Sequence, residues 1–182
     1  MGVKKYFIAI VIPPPLFEQT EALKEELMRL YGLKGALRSP AHITLHRPFE
    51  WKEEKEEELI ARLREFRFKE SFRITLQDFA FFEPRVIYVD VKQNDILFEL
   101  HGQLKRFAAT RLGLLNEVND LRGFHPHVTI AFRDLKKPRF YELKPEFEKR
   151  QLQGSFEYTG FSLLKLEKKW EEYDTFHHQP EI

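Results

Sequence analysis

The sequence predicts an α+β molecule of two pseudo-symmetric lobes with a cleft between them. Three observations carry the prediction. Short apolar, β-branched runs alternate with longer segments whose apolar residues recur at helical spacing. The order of these segments begins again after Pro84. Landmarks also recur at nearly one shift: His42 and His127 lie 85 residues apart, and Ser71-Phe72 and Ser155-Phe156, each followed by a threonine (Thr75, Thr159), lie 84 apart. Two copies are too few for a solenoid, and 182 residues suit one bilobal domain, with lobe 1 over 1–83, lobe 2 over 84–182, and strand exchange between them possible in principle.

The elements follow in order. Tyr6 to Ile12 is a continuous apolar run and reads as a buried strand, ended by Pro13-Pro14-Pro15. Leu16, Thr20, Leu23, Leu27 and Leu30 recur at helical spacing, and Gly32 suits the stop. A strand is expected at His42 to Leu45, then a charged helix over Trp51 to Phe66 with Leu59, Leu63 and Phe66 on one face, its run Lys52 to Glu58 a solvated surface. Phe72 to Phe82 reads as a long strand. In the second half, Val86 to Val91 is a strand, Ile96, Leu97, Leu100, Leu104 and Phe107 form a helical stripe, and His127 to Phe132 is a strand. A helix over Phe140 to Lys149, a strand-rich stretch over Ser155 to Leu166 and a final strand around Trp170 to Phe176 complete the chain.

Composition narrows the function. Hydrophobic residues at 42% and charged residues at 32% describe a globular chain, not a disordered one. Thirty basic against twenty-nine acidic residues give a formal charge of +1, which argues against an electrostatic grip on long duplex nucleic acid. The absence of cysteine excludes disulfides, thiolate metal sites and cysteine nucleophiles. No apolar stretch is long enough to span a bilayer, and Tyr6 to Ile12 is too short and lacks the cleavage site of a secretory signal. A cytoplasmic monomer is expected.

Two short strands hold the candidate chemistry, Pro40-Ala41-His42-Ile43-Thr44-Leu45 and Pro126-His127-Val128-Thr129-Ile130. Residues i and i+2 of a strand share a face about 6.5 Å apart. His42 and Thr44 therefore face one way while Ile43 and Leu45 face the core, and His127 and Thr129 do the same in front of Val128 and Ile130. Across a pseudo-twofold the two faces would present two imidazoles and two hydroxyls to one ligand. Hydroxyls donate to phosphate oxygens. A neutral imidazole takes a proton from water while a protonated one gives a proton to a leaving oxygen. With seven histidines in the chain, one His-x-Thr is an easy accident; two in matched strands, each with a proline just upstream, are not.

Paired His-x-Thr-hydrophobic motifs at this separation resemble the two-histidine (2H) phosphoesterase superfamily, which includes 2′-5′ RNA ligase-like proteins and cyclic nucleotide phosphodiesterases. The resemblance implies two antiparallel sheets lining a central cleft with helices outside. It implies His42 and His127 as the acid/base pair and Thr44 and Thr129 as phosphate ligands. The implied reaction is hydrolysis of a 2′,3′-cyclic phosphate, or of a related cyclic or 2′-5′ phosphodiester, with no metal and no cofactor. In the RNA-processing branch 2′-5′ ligation is also known. The expected substrate is a small cyclic nucleotide or an RNA terminus. The chain departs from that branch. Leu45 is followed by His46-Arg47-Pro48-Phe49 where a Phe-Leu-Gly-like segment is common, and Phe132 stands where an Arg often follows the second His by five residues. Arg47 occupies that offset in the first motif and Arg133 comes one residue later in the second, which makes Arg47, Arg133 and Phe132 the further substrate-binding candidates.

Other residues have plainer readings. His46 would share the face of His42 about 13 Å away, too far for one metal ion. His125-Pro126-His127 could chelate zinc, but neither strand supplies a carboxylate as third ligand on that face. Arg38 and Arg122 flank the motifs as surface charges or anion ligands; Phe49, Phe124 and Phe132 are core residues or base-stacking rings. His101 reads as structural, and His177 and His178 as surface residues. The rival to an enzyme is a non-catalytic module that binds a nucleotide or phosphate in the same cleft.

Overall fold

The computed structural model describes residues 2–115 and 123–180. The order of elements is β1 (Val3–Val11), α1 (Leu16–Tyr31), a 3-10 turn (Gly35–Arg38), β2 (His42–Lys52), a second 3-10 turn (Glu53–Lys55), α2 (Glu56–Leu63), β3 (Arg73–Phe82), β4 (Val86–Val91), α3 (Asp95–Leu112), β5 (His127–Ala131), α4 (Lys137–Phe147), β6 (Gln153–Glu157), β7 (Gly160–Leu166) and β8 (Trp170–His177). These strands form two four-stranded antiparallel sheets, ordered β2-β1-β7-β8 and β5-β4-β3-β6. The α+β class with paired antiparallel sheets is therefore as the sequence predicts.

The sheets are not contiguous in sequence. β3, from the first half, pairs with β4 and β6, and the C-terminal β7–β8 hairpin returns to pair with β1. The Ser-Phe landmarks are consequently neighbours instead of symmetry mates: Ile74 pairs with Phe156, Phe72 stacks on Tyr158 at 4.9 Å, and Tyr158 N donates to Phe72 O. The two His-x-Thr strands, β2 and β5, are corresponding edges of the two sheets and pack against each other.

Local chemistry explains where expectation and structure diverge. The charged helix is only Glu56–Leu63, because Trp51 extends β2 and its indole donates to Lys55 O, while Leu59 and Leu63 alone are buried. The buried face of α1 is Leu16, Thr20, Lys24 and Leu27; Leu30 is exposed, and Lys24 takes the place expected for Leu23. Gly32 ends that helix in the left-handed conformation at φ 68°, which glycine adopts without a Cβ clash. Among the described residues no helix is long and apolar enough to cross a membrane.

Candidate active site

The two motif strands begin identically. Each is half-buried, buried, half-buried, buried, buried over its first five residues, so His42 and Thr44, and likewise His127 and Thr129, share the open face. Behind them Ile43 and Val128 are fully buried, with Leu45 and Ile130 at 1% exposure. Both strands then bulge at the same place. Thr44 pairs with Ala9 but His46 with Ile8, which leaves Leu45 as an extra residue; Thr129 pairs with Tyr88 but Ala131 with Ile87, which does the same for Ile130.

That bulge corrects the reading of His46. Unbroken alternation would put it on the same face as His42, but the extra residue turns it to the other face, where it is 2% exposed. Its Nδ1 lies 2.8 Å from Arg47 O, its ring meets Phe49 edge-on at 5.5 Å, and burial lowers its basicity. Phe49 belongs to the core as well, and Phe124 stacks flat on His101 at 3.8 Å, so neither of these rings serves the cleft. Arg47 and Pro48 lie at a second irregularity of β2, where Tyr6 pairs with Phe49 and Ile8 with His46.

Each catalytic candidate is held by the same bond. His42 Nδ1 is 2.6 Å from Pro40 O and His127 Nδ1 is 2.6 Å from His125 O, in both cases the carbonyl two residues back. A carbonyl only accepts, so Nδ1 carries the proton and Nε2 is left as the atom that titrates. Aromatic rings fix both imidazoles: Phe7 at 4.9 Å from His42, itself edge-on to Trp170 at 4.7 Å, and Phe82 at 5.0 Å and Tyr88 at 5.1 Å from His127. Burial pushes the His42 imidazolium down to about 4, and the positive charges of Lys24 and of His127 push the same way.

A cavity of about 140 Å³ opens against His42 and Thr44 and is walled by Phe7, Pro48, Phe132 and Trp170, with Arg38 and Arg133 as its cations. Arg133 and Phe132 are where the sequence expects substrate contacts; Arg47 is exposed and is not part of this wall. Arg133 adopts φ 61°, an uncommon backbone for a non-glycine residue, with its guanidinium 5.1 Å from the Phe132 ring. The carboxylate of Asp134 ties this turn to the one bearing Arg38, accepting from Lys34 N at 2.7 Å and Gly35 N at 3.2 Å. A Cβ on Gly35 would lie 2.4 Å from Phe132 O, so only glycine allows the two turns to meet this closely. Arg122 lies outside the described residues.

His125 is not aimed at a shared ligand: its Nε2 is 3.2 Å from the Tyr88 hydroxyl and 3.9 Å from Asp90 Oδ1. Among the described residues, no three His, Asp or Glu side chains gather as a metal site. Sequence reasoning missed Phe7 and Trp170. They lie 163 residues apart in the chain, and only the pairing of β1 with β7, and of β7 with β8, brings them to one wall.

The model of the 2′-5′ RNA ligase superfamily matches residues 12–170 of this chain. A protein of Oceanobacillus iheyensis bearing the name "Putative phosphoesterase" is 30% identical over 177 residues, covering 94% of this chain and 96% of its own. One of the same name from Geobacillus thermodenitrificans is 32% identical over 142 residues, 75% of this chain and 78% of its own. Among solved structures, the Thermus thermophilus protein TT0787 superposes with a TM-score of 0.69 at 20% identity, covering 98% of this chain and all of that one. Escherichia coli LigT complexed with 3′-AMP superposes with a TM-score of 0.67 at 22% identity, over 97% of this chain and 99% of that one. At these identities the two structures speak for the fold.

Proposed function

Because the chain belongs to the 2′-5′ RNA ligase superfamily, whose two-histidine phosphoesterase motifs it carries twice, we propose that its cleft hydrolyses a 2′,3′-cyclic phosphate or a related cyclic or 2′-5′ phosphodiester. The observation that carries this reading is the repeated imidazole geometry: two histidines, each with Nδ1 bound to the carbonyl two residues back at 2.6 Å, on facing strand edges with a threonine two residues on. Each Nε2 is then the atom that exchanges a proton with a ligand held between them.

The surroundings of His42 support one assignment of roles. Burial disfavours charge on His42, which suits it to the role of base and leaves that of acid to His127. His42 takes a proton from the attacking water as the water oxygen bonds to phosphorus. His127 gives its proton to the ribose oxygen as that P–O bond breaks, leaving a 2′- or 3′-monophosphate. The Thr44 and Thr129 hydroxyls and the Arg133 and Arg38 guanidiniums bind the non-bridging oxygens, whose negative charge grows toward the transition state. Phe132, Phe7 and Trp170 offer apolar faces to a base or sugar. None of these steps calls on a metal or a cofactor; with the 5′-hydroxyl of a second RNA in place of water, the same attack on the cyclic phosphate would form a 2′-5′ linkage as the ribose 3′-oxygen takes the proton and leaves.

The test is hydrolysis of nucleoside 2′,3′-cyclic phosphates in EDTA by the wild-type protein, His42→Ala and His127→Ala, with the product isomer identified. Turnover that resists EDTA and is lost in both variants bears the reading out. Tight nucleotide binding without wild-type turnover replaces it with the non-catalytic module.

A further inference from the structure

His42 does not rest on an ordinary loop. The carbonyl that receives its Nδ1–H belongs to the peptide unit joining Pro40 and Ala41. A peptide unit is planar, so the direction of its C=O is fixed once its N–H is fixed. The N–H of that unit, on Ala41, donates to Glu21 Oε1 at 2.8 Å. Glu21 Oε1 also accepts from Lys24 Nζ at 2.8 Å, and the same ammonium donates to Ser39 O at 3.0 Å. Ala41 O accepts from Ile12 N at 2.9 Å, which closes the segment from the other side. One turn of α1 thus holds Ala41 N–H and Ser39 O, and Ile12 N holds Ala41 O, on either side of the carbonyl that His42 uses.

The cost of this arrangement shows that it is built. Lys24 is 2% exposed, on the buried face of α1 between Thr20 and Leu27, where the sequence pattern predicts Leu23 instead. A buried ammonium is tolerated only when it is paired and hydrogen-bonded, and both of its partners here serve the Ser39–Ala41 segment. Glu21 is the complementary half: a carboxylate on the N–H end of a peptide polarises the C=O at the other end and strengthens it as an acceptor.

We propose that Glu21 is a positioning residue for His42, gripping the Pro40–Ala41 peptide plane so that its carbonyl fixes the tautomer and direction of the imidazole, with Lys24 anchoring the carboxylate. The second motif cannot use this device. Its carbonyl lies in the His125–Pro126 peptide, and proline has no N–H to grip. The charged groups around His42 are Lys24 and Glu21 from α1, His127 from β5, and Arg38 and Arg133 at the cavity wall.

The kinetic consequence rests on the phosphoesterase reading, but the geometric one does not, so the experiment has two arms. Imidazole ¹H–¹⁵N spectra at pH 7 are recorded for the wild type, Glu21→Gln and Glu21→Ala. The wild type and Glu21→Gln, which keeps an acceptor oxygen, should show His42 as the Nδ1–H tautomer. Glu21→Ala should show His42 as a mixture of tautomers while His127 is unchanged. In the second arm, kcat for a 2′,3′-cyclic phosphate should fall by roughly 10- to 100-fold in Glu21→Ala, with KM held within about twofold, and Glu21→Gln should recover most of the loss. An unchanged His42 tautomer in Glu21→Ala overturns the proposal, as does a kcat loss that Glu21→Gln shares in full. If Glu21→Ala does not fold, Lys24→Met, which frees the carboxylate from its anchor, is read by the same spectra with the same criterion. If the wild type turns over no cyclic phosphate, the phosphoesterase reading fails and the spectra alone decide.

Discussion

The strands β2 and β5 open with the same five-residue burial pattern, the same 2.6 Å bond to the carbonyl two residues back and the same bulge after the threonine, yet their surroundings differ. The difference begins with one residue. In the first motif proline stands two positions before the histidine, so the intervening Ala41 keeps an N–H and Glu21 holds it. In the second, proline stands one position before, and the segment is steadied through the His125 side chain by Tyr88 instead. A repeated motif can therefore keep the geometry of its ring while setting each imidazole in different surroundings. Acid–base catalysis needs that distinction, because a base and an acid must hold different protonation states at one pH.

Removing either imidazole is the largest perturbation. His42→Ala and His127→Ala should each lower kcat for a 2′,3′-cyclic phosphate by roughly 10²- to 10⁴-fold while the far-UV spectrum is retained. A large loss in one variant and little in the other would mean that the two motifs are alike only in shape. Next come the hydroxyls. Thr44→Val and Thr129→Val each remove a donor to a charged oxygen, worth about 1.5–3 kcal/mol, so kcat/KM should fall roughly 10- to 100-fold in each.

The pH profile sharpens the comparison further. A base must be neutral, so the rate is lost as pH falls through its pKa. With His42 held down to about 4, kcat/KM of the wild type should persist through pH 6 and fall near pH 4. Lys24→Met removes one of the positive charges acting on His42, which should move that limb to higher pH. A wild-type limb near 6.5 would mean that burial does not hold His42 down. The smallest effect is expected at Pro126→Ala, which restores an N–H at that position; kcat should stay within about threefold, whereas a tenfold loss would show that the second motif depends on its backbone as closely as the first.

Much of this site is legible in the sequence because strand alternation is a local property. His-x-Thr places both side chains on one face whatever the rest of the chain does, and β-branched neighbours at Ile43 and Val128 identify the buried side. What the sequence hides is non-local or irregular. A bulge at Leu45 leaves no mark in an apolar strand, so His46 reads as a surface residue of the cleft and is buried instead. Lys24 looks like the solvated neighbour of Leu23, because a lysine is buried only when specific partners await it, here Glu21 three residues away and Ser39 O across a loop. Trp51 reads as the start of a charged helix because sequence shows only the charges that follow it, not the pairing of Lys4 with Trp51 that keeps it in β2.

The return of the C-terminal hairpin to β1 bears on how the protein is made. Phe7 pairs with Leu164, so β1 waits for a strand that is synthesised 157 residues later. Trp170, at the start of β8, then closes the wall around His42. A nascent chain that has reached β5 already holds both histidines and both threonines, but the sheet beneath His42 still lacks half its strands. Contacts of such long sequence separation form late and slowly. The wall around His42 is therefore completed only once β7 and β8 are in place, and a chain cut after β5 carries both His-x-Thr motifs without the surface that encloses them.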